Sequence, residues 1–176
     1  MKLSLVSVSL CVVAGVLAQD TSSGNKLRDI LGSLGNHPDG LMHVGADGIL
    51  RSFDGEGKVI DFARLDSRHL RTAAAGWFPG QKEEGLIDVW QNVDSSEVEE
   101  DQIWSPPSHL LPPRFSDPEG FAQSEPSTPN HQRLSIRRDH VCGEFTCTRH
   151  SDCWAKDCTL CATVHTAALR CQSISG

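Results

Sequence analysis

The sequence predicts an α+β protein in two folded parts. A small cysteine-free module of helix, three-stranded meander and helix is joined by a disordered acidic and proline-rich linker to a small disulfide-rich C-terminal domain. Three observations carry this prediction. Six cysteines crowd into residues 142–171, and none lies between Gln19 and His140. Short apolar runs broken by Asp-Gly steps fill residues 41–62. Seven of the nine prolines fall within residues 105–130, between these two regions.

The N-terminal 18 residues, MKLSLVSVSLCVVAGVLA, have the form of a secretory signal. Lys2 supplies the charged start, Leu3 to Leu17 the apolar core, and Val16-Leu17-Ala18 small residues before a cut between Ala18 and Gln19. The run is too short for a membrane span. Export is therefore expected, with no membrane association once the signal is gone. Its removal takes Cys11 away and leaves Cys142, Cys147, Cys153, Cys158, Cys161 and Cys171. An even count in an oxidising compartment predicts three disulfides. The net charge, 16 − 23 = −7, becomes −8 without Lys2. An acidic chain with no basic stripe argues against nucleic-acid or anionic-membrane partners.

Residues 19–80 form the predicted module. Leu27, Ile30, Leu31 and Leu34 mark one face of a helix over 26–35, with Asn25 as its N-cap. Strands follow at 41–44, 49–53 and 58–62, turned by Ala46-Asp47-Gly48 and Asp54-Gly55-Glu56-Gly57, because Asp-Gly steps reach the positive φ of tight hairpins. Asp66 or Ser67 caps a second helix that runs to Ala75 and ends at Gly76. A sheet and helices of this size are marginal on their own. Arg51, Arg64, Arg68 and Arg71 offer a weakly basic surface, better read as solvated side chains. Asp61, Ser67 and His69 lie close in sequence, but neighbourhood along the chain is not a triad.

Residues 81–138 are the predicted linker. Glu83, Glu84, Asp88, Asp94, Glu97, Glu99, Glu100 and Asp101 face only Lys82, a balance that suits a solvated acidic stretch better than a calcium loop. The prolines beyond it are expected to exclude helix and sheet. The linker ends at Arg137-Arg138, the only adjacent basic pair in the chain. Its place just before the cysteines suggests processing by a kexin-type protease of the secretory pathway, with two guanidinium groups suited to an acidic subsite.

Residues 139–176 make up the cystine domain, spaced C-x4-C-x5-C-x4-C-x2-C-x9-C. So short a segment buries too little apolar surface to fold without cross-links, each loop of about 15 residues contributing about 3 kcal/mol in the chain-entropy model. Cys158-x2-Cys161 with His150 and His165 also has the look of a zinc knuckle, but the even count and export favour disulfides, and no metal or other cofactor is expected. Phe145, Arg149 and Trp154 are of the residue types that dominate interfaces, and are the candidate binding residues.

The run Cys147-x3-Ser151-Asp152-Cys153-x-Ala155, two further cysteines close together and a last one after a loop resemble the knottin family, squash-type inhibitor peptides in particular. The resemblance covers about 30 residues. It implies the pairs Cys142–Cys158, Cys147–Cys161 and Cys153–Cys171, with the last loop a β-hairpin. The third-to-fourth and fourth-to-fifth gaps are each one residue longer than the squash pattern, and the final loop is several longer. The first loop, Gly143-Glu144-Phe145-Thr146, lacks the basic residue of a trypsin inhibitor and offers Phe145 to an apolar pocket instead. The whole layout, with HVGADGILRSFDGEGKVIDFARL upstream, resembles small cysteine-rich secreted proteins of filamentous fungi, some of them effectors.

The expectation is a secreted, monomeric precursor of a disulfide-stabilised binding peptide, effector-like or toxin-like, acting on an extracellular or host protein. Two alternatives are a protease inhibitor using the Phe145 loop, and an unprocessed protein whose N-terminal module does the work. No G-x-S-x-G, H-E-x-x-H or phosphate-loop motif occurs, so an enzyme is not expected.

Overall fold

The computed structural model describes residues 21–77, 88–124 and 142–174. The signal segment with Ala18 and Gln19, and the Arg137-Arg138 step, lie outside the described residues. One mixed sheet of five strands organises the rest, in the order β3-β2-β1-β4-β5. β1 (Leu41–Val44), β2 (Ile49–Phe53) and β3 (Val59–Arg64) form the expected meander. β4 (Leu160–Val164) and β5 (Arg170–Gln172) come from the cystine region as an antiparallel hairpin. β4 runs parallel to β1, with Met42 opposite Ala162 and Val44 opposite Val164. The sheet thus takes strands from both sides of the dibasic step.

The hairpin turns follow from their glycines. Gly48 and Gly57 sit at φ +74° and +87°, where a side chain is strained. Asp47 Oδ1 accepts the Ile49 N–H, and Asp54 Oδ1 accepts those of Glu56 and Lys58, closing the turns. In β3 the residue Ile60 is extra relative to β2, a bulge at which Phe53 faces Val59. The outer edge of β3 is blunted by Asp61, whose carboxylate accepts the N–H of Phe62 and of Gly35.

Helices cover one face of the sheet. α1 (Thr21–Ser33) starts four residues before the expected Asn25 cap, which falls inside it. Leu27, Leu31 and Leu34 are buried as their spacing requires. α2 (Ser67–Trp77) is capped by Asp66, whose Oδ1 accepts the N–H of Arg68 and of His69. Leu70, Ala73 and Ala74 meet Met42, Val44, Leu50, Leu160, Ala162 and Val164 in the first core. The second core lies on the opposite face, where all six cysteines cluster with Leu41, Phe53, Val59 and Leu169.

The described part of the predicted linker is folded, and this corrects the sequence reading. Residues 88–124 cross the sheet as a strap of short turns: a 3-10 turn at Ser95–Glu97, α3 (Glu100–Trp104), a second 3-10 turn at Ser108–Leu110, α4 (Pro113–Ser116) and α5 (Pro118–Ser124). Trp90, Ile103 and Leu110 are buried, and Trp90 donates its indole N–H to Gly45 O at 2.9 Å. Leu111, Phe115 and Phe121 pack on the cystine core. Prolines do not prevent this where they stand at helix starts: Pro113 and Pro118 open α4 and α5, where no intrahelical N–H is needed. Phe115 seats against the Gly57 turn, where a β-carbon would come within 3.0 Å of its ring.

Removing the strap's anchor should therefore be costly. Ile103→Ala is expected to lower unfolding free energy by about 2–4 kcal/mol, the range for an apolar side chain deleted from a core. Denaturant melts at neutral pH check this; an unchanged midpoint would mean that the strap is not packed.

Candidate functional site

The disulfides are Cys142–Cys158, Cys147–Cys161 and Cys153–Cys171, the pairing implied by the knottin resemblance. With all six sulfurs oxidised, Cys158 and Cys161 have no thiolate to give a metal. They brace α6 (His150–Trp154) and the β4–β5 hairpin against a 3-10 turn at Cys142–Glu144.

The three candidate binding residues are placed differently from one another. Trp154 is 47% exposed, with its indole N–H held by Thr159 O at 2.9 Å, so the ring is fixed and open to solvent. Arg149 is exposed but committed: it reaches Asp39 Oδ1 at 2.9 Å and Asp152 Oδ1 at 3.3 Å, tying the cystine region to the N-terminal module. Phe145 is half-buried on the cystine core with the Lys156 ammonium 5.7 Å from its ring. Its carbonyl accepts the Cys171 N–H, and Thr146 bridges to Arg170. The first inter-cysteine loop is therefore stitched to β5, whereas an inhibitory loop needs an extended, exposed bond.

Local hydrogen bonds shape this region. Asp152 Oδ2 accepts the Thr148 N–H, the Thr148 hydroxyl and the Arg149 N–H at the start of α6. Burial pushes the Asp152 carboxyl up, but these bonds and the Arg149 side chain outweigh it and leave the group below the usual range. Arg114 of the strap donates to Asp39 O at 3.1 Å and Thr148 O at 2.5 Å, joining three segments at one guanidinium.

A buried polar layer between sheet and strap was not foreseen. Arg51, expected on a basic surface, is fully buried. It makes a two-pronged ion pair with Asp47, at 2.6 and 3.0 Å, and donates to Ile103 O and Gln102 O. Burial raises the Asp47 carboxyl, and the bond and charge of Arg51 bring it below its ordinary value. Arg64 is likewise engaged, donating to Ser95 O and Val98 O. Asp61, Ser67 and His69 do not converge: Asp61 serves Gly35 and Phe62, and His69 pairs with Asp66 at 3.0 Å.

Two buried histidines line the seam between the N-terminal module and the cystine region. His43 donates from Nε2 to His165 O at 2.9 Å, leaving Nδ1 without a partner. His150 accepts the Cys161 N–H on Nδ1, and its Nε2 is unpartnered. Burial is the chief cause that lowers both to about 4 from 6.5; Arg51 adds to it for His43 and His37 for His150.

Fold and site together define a class: an α+β protein whose mixed sheet carries helices on one face and three clustered disulfides on the other. A protein of Emericella nidulans called Lactobacillus up-regulated protein is 27% identical over 170 residues, which span 94% of this chain and 90% of that one. The similarity thus runs across both sides of Arg137-Arg138. No family model matches the chain, and no solved structure matches it.

The histidines set a pH dependence. Both are neutral when folded, so the unfolded chain takes up protons first, and their contribution is complete above pH 6.5 and lost as pH falls towards 4. Each shift corresponds to about 3 kcal/mol at full protonation. Denaturant melts at pH 7 and pH 4.5 should show a marked loss at the lower pH. A His43→Gln, His150→Gln double variant should show a shallower loss; an equally steep one would assign the effect to other groups.

Proposed function

We propose that the chain is exported and works as a disulfide-stabilised binding protein on an extracellular or host protein. In this reading the cystine region and the N-terminal module act as one body. The carrying observation is the place of β4, hydrogen-bonded to β1 on one side and β5 on the other. Three disulfides suit an oxidising compartment, and no helix among the described residues is long and apolar enough to cross a membrane. The fixed, solvent-facing ring of Trp154 on a cross-linked frame suits binding, because little side-chain freedom remains to be lost. The finer reading of residues 139–176 as knottin-like draws on the disulfide pairing and the terminal hairpin, and the effector-like reading on the layout of the whole chain.

Processing at Arg137-Arg138 takes a particular form in this reading. A kexin-type cut breaks the chain, and among the described residues no disulfide links the two sides. The cystine fragment then stays in place through β1–β4 pairing, the Arg149–Asp39 ion pair and the shared cores. The product is a two-chain protein, not a free peptide. An inhibitor is the weaker alternative, since the Phe145 loop is engaged with β5.

Intact mass and size-exclusion chromatography of the secreted product test this together. Treatment with reductant should add about 6 Da to the cystine-bearing species, one hydrogen per sulfur. Whether cut or whole, the material should elute near the size of the full mature chain under native conditions. A cystine peptide that elutes alone at neutral pH would restore the released-peptide reading.

A further inference from the structure

The strap carries the charge of the described body. Residues 21–77 balance seven basic against seven acidic side chains, and residues 142–174 balance three against three. Residues 88–124 hold one basic and eight acidic, 1 − 8 = −7. Glu97, Glu99, Glu100 and Asp101 are all exposed, and no Lys or Arg occurs between Lys82 and Arg114. Among the described residues none of these four pairs with a basic side chain. Arg64, at the end of β3, reaches the strap but donates there to the backbone carbonyls of Ser95 and Val98.

These carboxylates stand on a fixed backbone. Ser95 Oγ donates to Leu65 O at 2.8 Å, Arg51 holds Ile103 O, and Ile103 is buried beneath. Beside them Trp104 is 42% exposed and set edge-on against Phe62 of β3, with ring centroids 5.2 Å apart. Its indole N–H is donated to Glu100 Oε1 at 3.4 Å, so an acidic row without a basic partner among the described residues adjoins a part-exposed ring on a firmly anchored segment. The acidic groups do not converge: the one set of potential ligands close enough to hold an ion, among the described residues, consists of disulfide cysteines. Spread charge with an adjoining aromatic ring fits an extended cationic surface, not a single metal ion.

We propose that Glu97, Glu99, Glu100 and Asp101 beside Trp104 form a docking surface for a lysine- or arginine-rich segment of a partner protein. This deepens the binding reading above and rests on it. The carboxylates steer and orient the cationic segment, and Trp104 supplies the contact that outlasts salt.

The test uses the full secreted chain and a short peptide alternating lysine and leucine, followed by calorimetry at low and physiological salt. Four proteins are compared: wild type, Trp104→Ala, the strap quadruple E97Q/E99Q/E100Q/D101N, and a control quadruple D29N/E56Q/E119Q/E144Q of equal charge change. The expected result is binding by wild type, loss of about tenfold or more in the strap quadruple, and change within about twofold in the control. Trp104→Ala should lose several-fold while keeping the salt dependence. Equal loss in both quadruples, or no binding by wild type, overturns the docking surface. Cross-linking to proteins of the extracellular medium separates the two readings. Capture retained by the strap quadruple overturns the surface alone, whereas capture by no form of the chain overturns the binding reading as well.

Discussion

β1 is four residues long, and both of its edges are used. β2 occupies one by a hairpin; β4, from more than a hundred residues further along the chain, occupies the other in parallel. Everything else depends on that second pairing. A three-stranded meander alone would leave β1 as an exposed edge and Met42 and Val44 half-covered, and such a sheet is marginal in water. With β4 in place, Leu160, Ala162 and Val164 extend the apolar face on which α1 and α2 lie. On the opposite face the same strand carries Cys161, so the disulfide cluster sits against Leu41 and Phe53 and not apart from them. Parallel pairing at such sequence separation has a large closure entropy, and cross-linking the donor segment reduces the part that must be met on docking.

The second constraint is Arg51. An ion pair withdrawn from water gives little net stability, and its desolvation is offset only where every donor finds a partner. Here Asp47 takes two of the guanidinium's bonds, and the backbone carbonyls of Gln102 and Ile103 take others. The arginine therefore needs the strap as much as the strap needs the arginine. That mutual requirement fixes where the acidic segment crosses the sheet, which a purely apolar contact at Ile103 would not do.

Local structure was legible in the sequence, and long-range structure was not. The meander, the Gly48 turn and the buried stripe of α1 follow from period and turn chemistry, which act over a few residues, whereas in the second turn the positive φ falls on Gly57 and not on the Asp54-Gly55 step. The disulfide pairing followed from a resemblance, not from spacing. The strap escaped because Trp90, Ile103, Leu110 and Phe115 recur at no regular interval, and seven prolines pointed to an extended chain when two of them open helices. Arg51 was read as surface because a charged side chain within Ile49-Leu50-Arg51-Ser52-Phe53 suggests one wet face. All five residues are buried, since the sheet is covered on both sides. The one available sign was Asp47, four residues earlier across the hairpin.

Of the proposed binding residues, Arg149 and Phe145 are engaged in contacts within the molecule, and Trp154 keeps a ring that is 47% exposed. This reassigns what the cystine region is for. Its cross-links do not simply stiffen a free-standing loop display; they shape a segment whose inner side completes a sheet and whose outer side carries Trp154. Two histidines at that inner side are held neutral chiefly by burial, so adding a proton to either is disfavoured while the seam stays closed. The strap lies across the same sheet with its charge outward. The exposed acidic row of the strap is therefore held in place by how the strap fits the sheet, and the Trp154 ring by its bond to Thr159 O.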